Sequence, residues 1–200
     1  PLPEGHRLPG YRLNRLLARG GFSFVYVAEG DDGATVAVKE YLPAALRLRT
    51  GRAAEPSPAA ADATSFRHGL RRFFDEGRVL ATLSHSNVVR VLNFFRAHET
   101  AYMVMRYEPG RTLKQRLLEE PDGTLPEPWL RRTFTQLLNG LREVHARRLL
   151  HLDIKPANIY LREDGSPVLI DFGASRPMLG AENAGPPVVF TPGLASPELL

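Results

Sequence analysis

The sequence predicts an α+β fold in two lobes, a β-rich first lobe with one main helix and a helix-led second lobe. Three observations carry that expectation. The first forty residues alternate β-branched and aromatic runs with Gly and Asp-Gly turns. Apolar residues recur at helical spacing after Ser65 and again between Pro126 and Arg148. Between those stretches Pro109-Gly110 breaks the chain, and such pairs are strong local punctuation.

Taken in order, Tyr11–Leu17 is a mixed apolar run ended by Gly20-Gly21. Phe24–Ala28, the turn Asp31-Asp32-Gly33 and Thr35–Lys39 follow, which together predict an antiparallel meander. Leu46 to Thr64 is rich in Ala, Pro, Arg and Ser without a sustained period, and predicts a long, partly disordered surface insertion. From an N-cap at Ser65, residues Phe66, Leu70, Phe73, Leu80 and Leu83 mark a helix. Glu76 shares that buried stripe, and a carboxylate there needs a partner.

Strands are expected over Val88–Phe95 and Tyr102–Tyr107, then a short helix over Thr112–Glu119. Leu130, Phe134, Leu137, Leu138, Leu141 and Val144 mark the longest helix. Short apolar pieces follow at Leu149-Leu150, Ile159–Leu161 and Val168–Ile170, with a turn at Asp164-Gly165. Arg176–Gly193 is Gly/Pro-rich and reads as loop. The division expected is 1–108 and 109–200, with the insertion at about 46–64 and a cleft hinged near Arg106–Gly110.

Composition narrows the function classes. Cysteine is absent, which removes disulfides, thiolate catalysis and cysteine metal sites. No apolar run reaches the ~18–20 residues that span a bilayer, and the first residues lack a signal-peptide pattern, so a cytoplasmic protein is expected. A net charge of +4 raises the question of nucleic acid. The arginines are spread without aromatic interleaving, so no nucleic-acid partner is expected. Only three of the 26 basic residues are lysines: Lys39, Lys114 and Lys155. An ammonium and a guanidinium are not equivalent at a tight phosphate site.

Singly, Gly20-Gly21-Phe22-Ser23, Val36-Ala37-Val38-Lys39 and Asp171-Phe172-Gly173 are turns and a strand end. Their order is informative. A glycine hairpin precedes Lys39 and Glu76, followed by His151-Leu152-Asp153-Ile154-Lys155-Pro156-Ala157-Asn158, Asp171-Phe172-Gly173 and Ser196-Pro197-Glu198. This resembles the protein-kinase signature set from Tyr11 to Glu198. Asp153-x-Lys155-Pro156-x-Asn158 is the serine/threonine version, and His85-Ser86-Asn87-Val88-Val89 is similar to a stretch of the bacterial eukaryotic-like (Hanks-type) kinases.

The resemblance implies a bilobal protein-kinase-like fold whose second lobe is incomplete, since the family continues past Glu198. It implies ATP and Mg²⁺ as cofactors and transfer of the γ-phosphate to Ser/Thr hydroxyls of protein substrates, with autophosphorylation. By that resemblance Lys39 holds the α/β-phosphates and is oriented by Glu76; Asp153 accepts the hydroxyl proton; Lys155 neutralises charge near the γ-phosphate. Asn158 and Asp171 bind Mg²⁺, as hard oxygen donors suit it. Ala18, Gly20, Gly21 and Ser23 line the phosphates, while Val25, Ala37, Met105, Tyr107 and Tyr160 surround adenine. His151 is a packing residue in the family.

Some positions depart from the pattern. Ala18 and Ser23 replace glycines of the phosphate loop, which limits backbone approach and predicts weaker nucleotide binding. Leu152 replaces the arginine that receives an activation-loop phosphate, so that mode of switching is not expected. Ser175 and Thr191 are candidate phosphoacceptors, Thr191 with a structural role as the competing reading. Apolar surface on Leu137, Leu141 and their neighbours is expected to lie uncovered. The alternative function is a pseudokinase-like module that binds nucleotide or a partner without transfer.

Overall fold

The computed structural model describes residues 1–43, 63–173 and 176–177. They fall into two compact units: Pro1–Thr82 with Arg90–Tyr107, and Leu83–Val89 with Glu108 onward.

In the first unit β1 (Arg7–Leu8), β2 (Tyr11–Arg19), β3 (Ser23–Gly30), β4 (Thr35–Tyr41), β5 (Val91–Ala97) and β6 (Thr100–Arg106) form one antiparallel sheet. Its order is β1-β2-β3-β4-β6-β5. The β3–β4 turn is closed by Gly33 at φ +79° and by the Ala34 N–H donating to Asp32 Oδ1 at 3.0 Å. A positive φ at that point is what an Asp-Gly turn supplies.

Strand alternation sorts the two faces of β4. Val36, Val38 and the buried Glu40 point one way, into a cluster with Tyr26, Tyr102 and Val104 that Leu2 and Leu8 complete. The sequence gives no warning of that N-terminal segment. It is held by the Gly5 N–H donating to Leu13 O at 2.7 Å and the Leu13 N–H to His6 O at 2.9 Å. The Leu2 N–H donates to Tyr26 Oη, whose own O–H donates to Glu40 at 2.8 Å; Tyr102 donates to the other carboxylate oxygen at 2.8 Å. A carboxylate with no solvent exposure is tolerable only with such donors.

Ala37, Lys39 and Tyr41 face the other way, toward α1 (Ala63–Ala81), which buries Phe66, Leu70, Phe73, Gly77 and Leu80. The Tyr41 ring lies 5.4 Å from Phe66 and 5.7 Å from Phe73. Gly69 admits the tyrosine: a Cβ there would sit 1.8 Å from Tyr41 Oη. The helix starts at Ala63, so Ser65 lies inside it instead of capping it. The half-buried Ala63 extends the Phe66–Leu70 stripe by one turn, and Ala63 and Thr64 belong to the helix rather than the expected insertion. The rest of that insertion lies outside the described residues.

The strand expected from Val88 begins at Val91. Val88 forms a parallel bridge with Leu169, and the Val89 N–H donates to Leu169 O at 2.9 Å, so these two valines pair within the second unit. One continuous apolar run thus serves two units, which periodicity cannot divide.

In the second unit β7 (Gly110–Thr112), β9 (Ile159–Arg162) and β10 (Pro167–Leu169) make an antiparallel sheet with β9 central. β8 (Leu149–Leu150) pairs with β11 (Arg176–Pro177), so the predicted loop from Arg176 opens as a strand; its remainder lies outside the described residues. α2 (Leu113–Leu118) starts with a reciprocal capping box between Thr112 and Gln115.

α3 (Glu127–Ala146) buries Thr133, Leu137, Gly140 and Val144. Leu137 is 2% exposed, contrary to expectation, because its row packs against β10 and β8; Phe134 and Leu138 are the outward residues. Among the described residues no helix is long and apolar enough to cross a membrane.

Candidate active site

Each unit gathers part of the predicted constellation. In the first, register places Val25 opposite Lys39 and Ala37 opposite Met105. By alternation Val25, Ala37, Lys39 and Met105 therefore lie on one sheet face. Lys39 Nζ stands 3.3 Å from Glu76 Oε1, both side chains at most a tenth exposed, and 5.7 Å from the centre of the Phe73 ring. Asp75, the competing acid, is exposed, so of the two it is Glu76 that α1 turns toward the sheet.

The β2–β3 connection holds Gly20, Gly21 and Phe22. It is closed by the Gly20 N–H donating to Ser23 O at 2.8 Å, with Ala18 opposite Val25 at the end of the ladder. Ala18, Gly20 and Gly21 are exposed and Ser23 half-buried. Neither Gly20 nor Gly21 has a positive φ, so this turn does not depend on glycine conformations.

In the second unit Asp153 is held from two sides. Asn158 Nδ2 donates to the Asp153 carbonyl at 2.9 Å and to its Oδ2 at 2.8 Å, and Lys155 Nζ lies 2.8 Å from the same Oδ2. Pro156–Asn158 forms a single 3-10 turn that brings Asn158 back onto Asp153. The backbone takes a left-handed φ of +61° at Leu152 and again at Asp171. For residues other than glycine such φ values cost roughly 1–2 kcal/mol each.

His151 links these segments. Its Nδ1 accepts the Asp153 N–H at 3.3 Å, so Nε2 carries the proton and donates to Ile170 O at 3.2 Å. The ring packs 4.4 Å from Phe172. Burial pushes its pKa below the ordinary histidine value, outweighing the Ile170 hydrogen bond and the Asp171 and Asp153 carboxylates, which act upward. The unfolded chain therefore binds more protons than the folded one below about pH 6.5, and stability falls on acidification. In melting curves from about pH 7 to pH 5, His151→Gln is expected to flatten that loss; parallel curves for variant and parent would remove His151 as its source.

The donor set suits a magnesium ion. Both Asn158 Nδ2 contacts go to Asp153, which leaves the amide oxygen as the ligating atom. The Ile170 N–H donates to Asn158 O at 3.0 Å, so Asn158 and Asp171 lie at the same end of the β9–β10 pair. Among the described residues no group of three or more His, Cys, Asp or Glu side chains is placed to hold a metal. Two protein oxygens completed by phosphate and water is a usual arrangement for Mg²⁺. Tyr107 and Tyr160 are half-buried. Ser175, Thr191 and Ser196–Glu198 lie outside the described residues.

Comparison with known proteins is consistent throughout. The family model described as "Protein kinase domain" matches residues 11–200. Mitogen-activated protein kinase kinase kinase 3 of Arabidopsis thaliana is 32% identical over all of this chain and 29% of its own length. Serine/threonine-protein kinase PknA of Nostoc sp. is 33% identical over 94% of this chain and 32% of its own. Among solved structures, the apo form of PpkA-294 superposes with TM-score 0.81 at 33% identity, covering 86% of this chain and 62% of that one. The kinase domain of Mycobacterium tuberculosis PknI gives 0.68 at 25% identity, with 86% and 63% covered. The chain thus spans about a third of the length of these curated relatives.

Proposed function

The chain belongs to the protein kinase domain family, and from that membership we propose that it transfers the γ-phosphate of ATP to Ser or Thr hydroxyls of protein substrates. The observation that carries this reading is the Asp153–Lys155–Asn158 arrangement on one carboxylate oxygen; the Lys39–Glu76 pair of the first unit precedes it in the family's motif order. Similarity to Hanks-type kinases such as PknA supports the Ser/Thr class. The Lys155-Pro156 and Ser196-Pro197-Glu198 motifs favour a protein acceptor.

In the reaction a bond forms between the acceptor oxygen and the γ-phosphorus, the bond from that phosphorus to the ADP oxygen breaks, and the hydroxyl proton passes to Asp153. Asn158 and Lys155 fix the carboxylate that receives it, and Lys155 offers positive charge close by. Lys39, oriented by Glu76, is the cation for the α/β-phosphates. Asn158 and Asp171 would hold a magnesium ion, which would supply charge neutralisation on the phosphate oxygens. Positioning and electrostatics carry most of the catalysis in such a transfer. Val25, Ala37, Met105, Tyr107 and Tyr160 surround adenine in this reading, with Ala18, Gly20, Gly21 and Ser23 at the phosphates. The same reading includes autophosphorylation and a cytoplasmic site of action.

The test is incubation of the protein with γ-labelled ATP, Mg²⁺ and a basic protein substrate, followed by phosphoamino-acid analysis. Label on Ser or Thr, lost on chelation, is expected. No transfer in the presence of Mg²⁺ would sink the reading.

A further inference from the structure

β6 ends at Arg106 and β7 begins at Gly110, and the segment joining them carries Tyr107, one of the adenine-contacting residues of the proposed function. Glu108, the next residue, is gripped at both its main chain and its side chain. Tyr160 donates its hydroxyl proton to Glu108 O at 3.1 Å. Arg162, two residues along β9, presents Nε and Nη2 to the two carboxylate oxygens of Glu108. This is the fork-on-fork geometry that a guanidinium makes and an ammonium cannot.

The same guanidinium is braced elsewhere. Nη2 also donates to Ser86 O at 2.8 Å, and Nη1 donates to Ser166 Oγ at 3.1 Å. Ser166 Oγ in turn donates to Asp164 Oδ1 at 2.6 Å, within the turn that the Gly165 N–H closes on Arg162 O at 2.9 Å. Four of the five guanidinium hydrogens are thereby used, so the fork has one orientation. Just past Glu108, a Cβ on Gly110 would lie 2.1 Å from Leu161 O, at a φ of +153° that disfavours any side chain. Main-chain pairing, a hydroxyl and a two-pronged ion pair all fasten this short segment to β9.

We propose that Arg162, with Tyr160 Oη, is a positioning residue for the nucleotide base. It holds Glu108 so that Tyr107 and its peptide groups stand ready for adenine, and so sets nucleotide affinity without touching the reacting atoms. The inference rests on the kinase reading above. A tether that orders the binding segment in advance removes an entropic cost from binding, so its loss appears in affinity and not in the chemical step. Lysine at position 162 can neutralise Glu108 but cannot keep the fork.

The experiment measures ATP dissociation constants by calorimetry and steady-state kinetics for the protein and its variants, with melting temperatures as control. Arg162→Ala is expected to raise Kd and KM for ATP about tenfold, with kcat changed less than about twofold. Arg162→Lys should behave like Arg162→Ala, and Tyr160→Phe should show a smaller rise of the same kind. If Arg162→Ala fails to fold, Arg162→Lys and Tyr160→Phe, milder changes, carry the test. An unchanged Kd in folded variants overturns the proposal, as does full rescue by lysine or a fall in kcat at constant KM. Absence of transfer by the parent protein overturns the kinase reading instead, and the calorimetric comparison still decides the clamp.

Discussion

Asp153→Asn is expected to lower phosphotransfer by about 10²–10⁴-fold while ATP affinity stays within about threefold. Asparagine has the volume of aspartate, and its amide oxygen can still accept a hydrogen bond from Asn158. It cannot accept the hydroxyl proton, and it removes the negative charge that stands 2.8 Å from Lys155 Nζ. The loss therefore falls on the chemical step. Initial rates at saturating ATP, with calorimetric binding alongside, separate the two effects. A variant with the parent's rate would show that Asp153 takes no proton, and a large loss of affinity would assign it to nucleotide binding.

Lys39→Ala is expected to cost about 3 kcal/mol of stability as well as activity, because it strips a buried carboxylate of a cation. Lys39 and Glu76 are at most a tenth exposed and 3.3 Å apart, with the ammonium also over Phe73. Removing one member leaves Glu76 in an apolar stripe between Phe73 and Leu80. Replacing both, as Lys39→Met with Glu76→Leu, should regain most of the stability and none of the phosphotransfer, since apolar residues of similar volume often serve a buried pair's site as well. Urea unfolding of the parent, Lys39→Met, Glu76→Leu and the double variant provides the coupling energy. Additive effects would mean the two side chains do not support each other.

Those residues were legible in the sequence through the order of their short motifs along the chain, since no one motif is informative alone. Lys39 ends an apolar strand and Glu76 lies on a helical stripe, while Asp153, Lys155 and Asn158 fall within six residues. Strand alternation and helical spacing also yielded the meander and the two long helices. What stayed hidden depended on distant partners. Glu40 reads as an ordinary polar residue until the N-terminal segment, Tyr26 and Tyr102 close over it. Val88 and Val89 continue an apolar run, yet Val88 bridges to Leu169, with Val89 N–H donating to Leu169 O and Leu169 N–H to Asn87 O, while the Asn87 side chain donates to Pro167 O. The left-handed backbone at Leu152 has no signature in a leucine. Arg162 and Glu108 are 54 residues apart in sequence and carry no motif. Their one local hint is the glycine at 110, which marks a close backbone approach.

The contact between Gly69 and the Tyr41 hydroxyl limits how α1 can travel. The hydroxyl occupies the space that any side chain at that point of the helix would need. Sliding the helix along its axis by one turn would bring Phe66 or Phe73 toward the same spot, and both carry a Cβ. A turn-length slide is therefore disfavoured in either direction, like a key ward that accepts a single notch. Swinging away from the sheet lifts Gly69 off the hydroxyl and meets no such obstacle, and by that route Glu76 would part from Lys39.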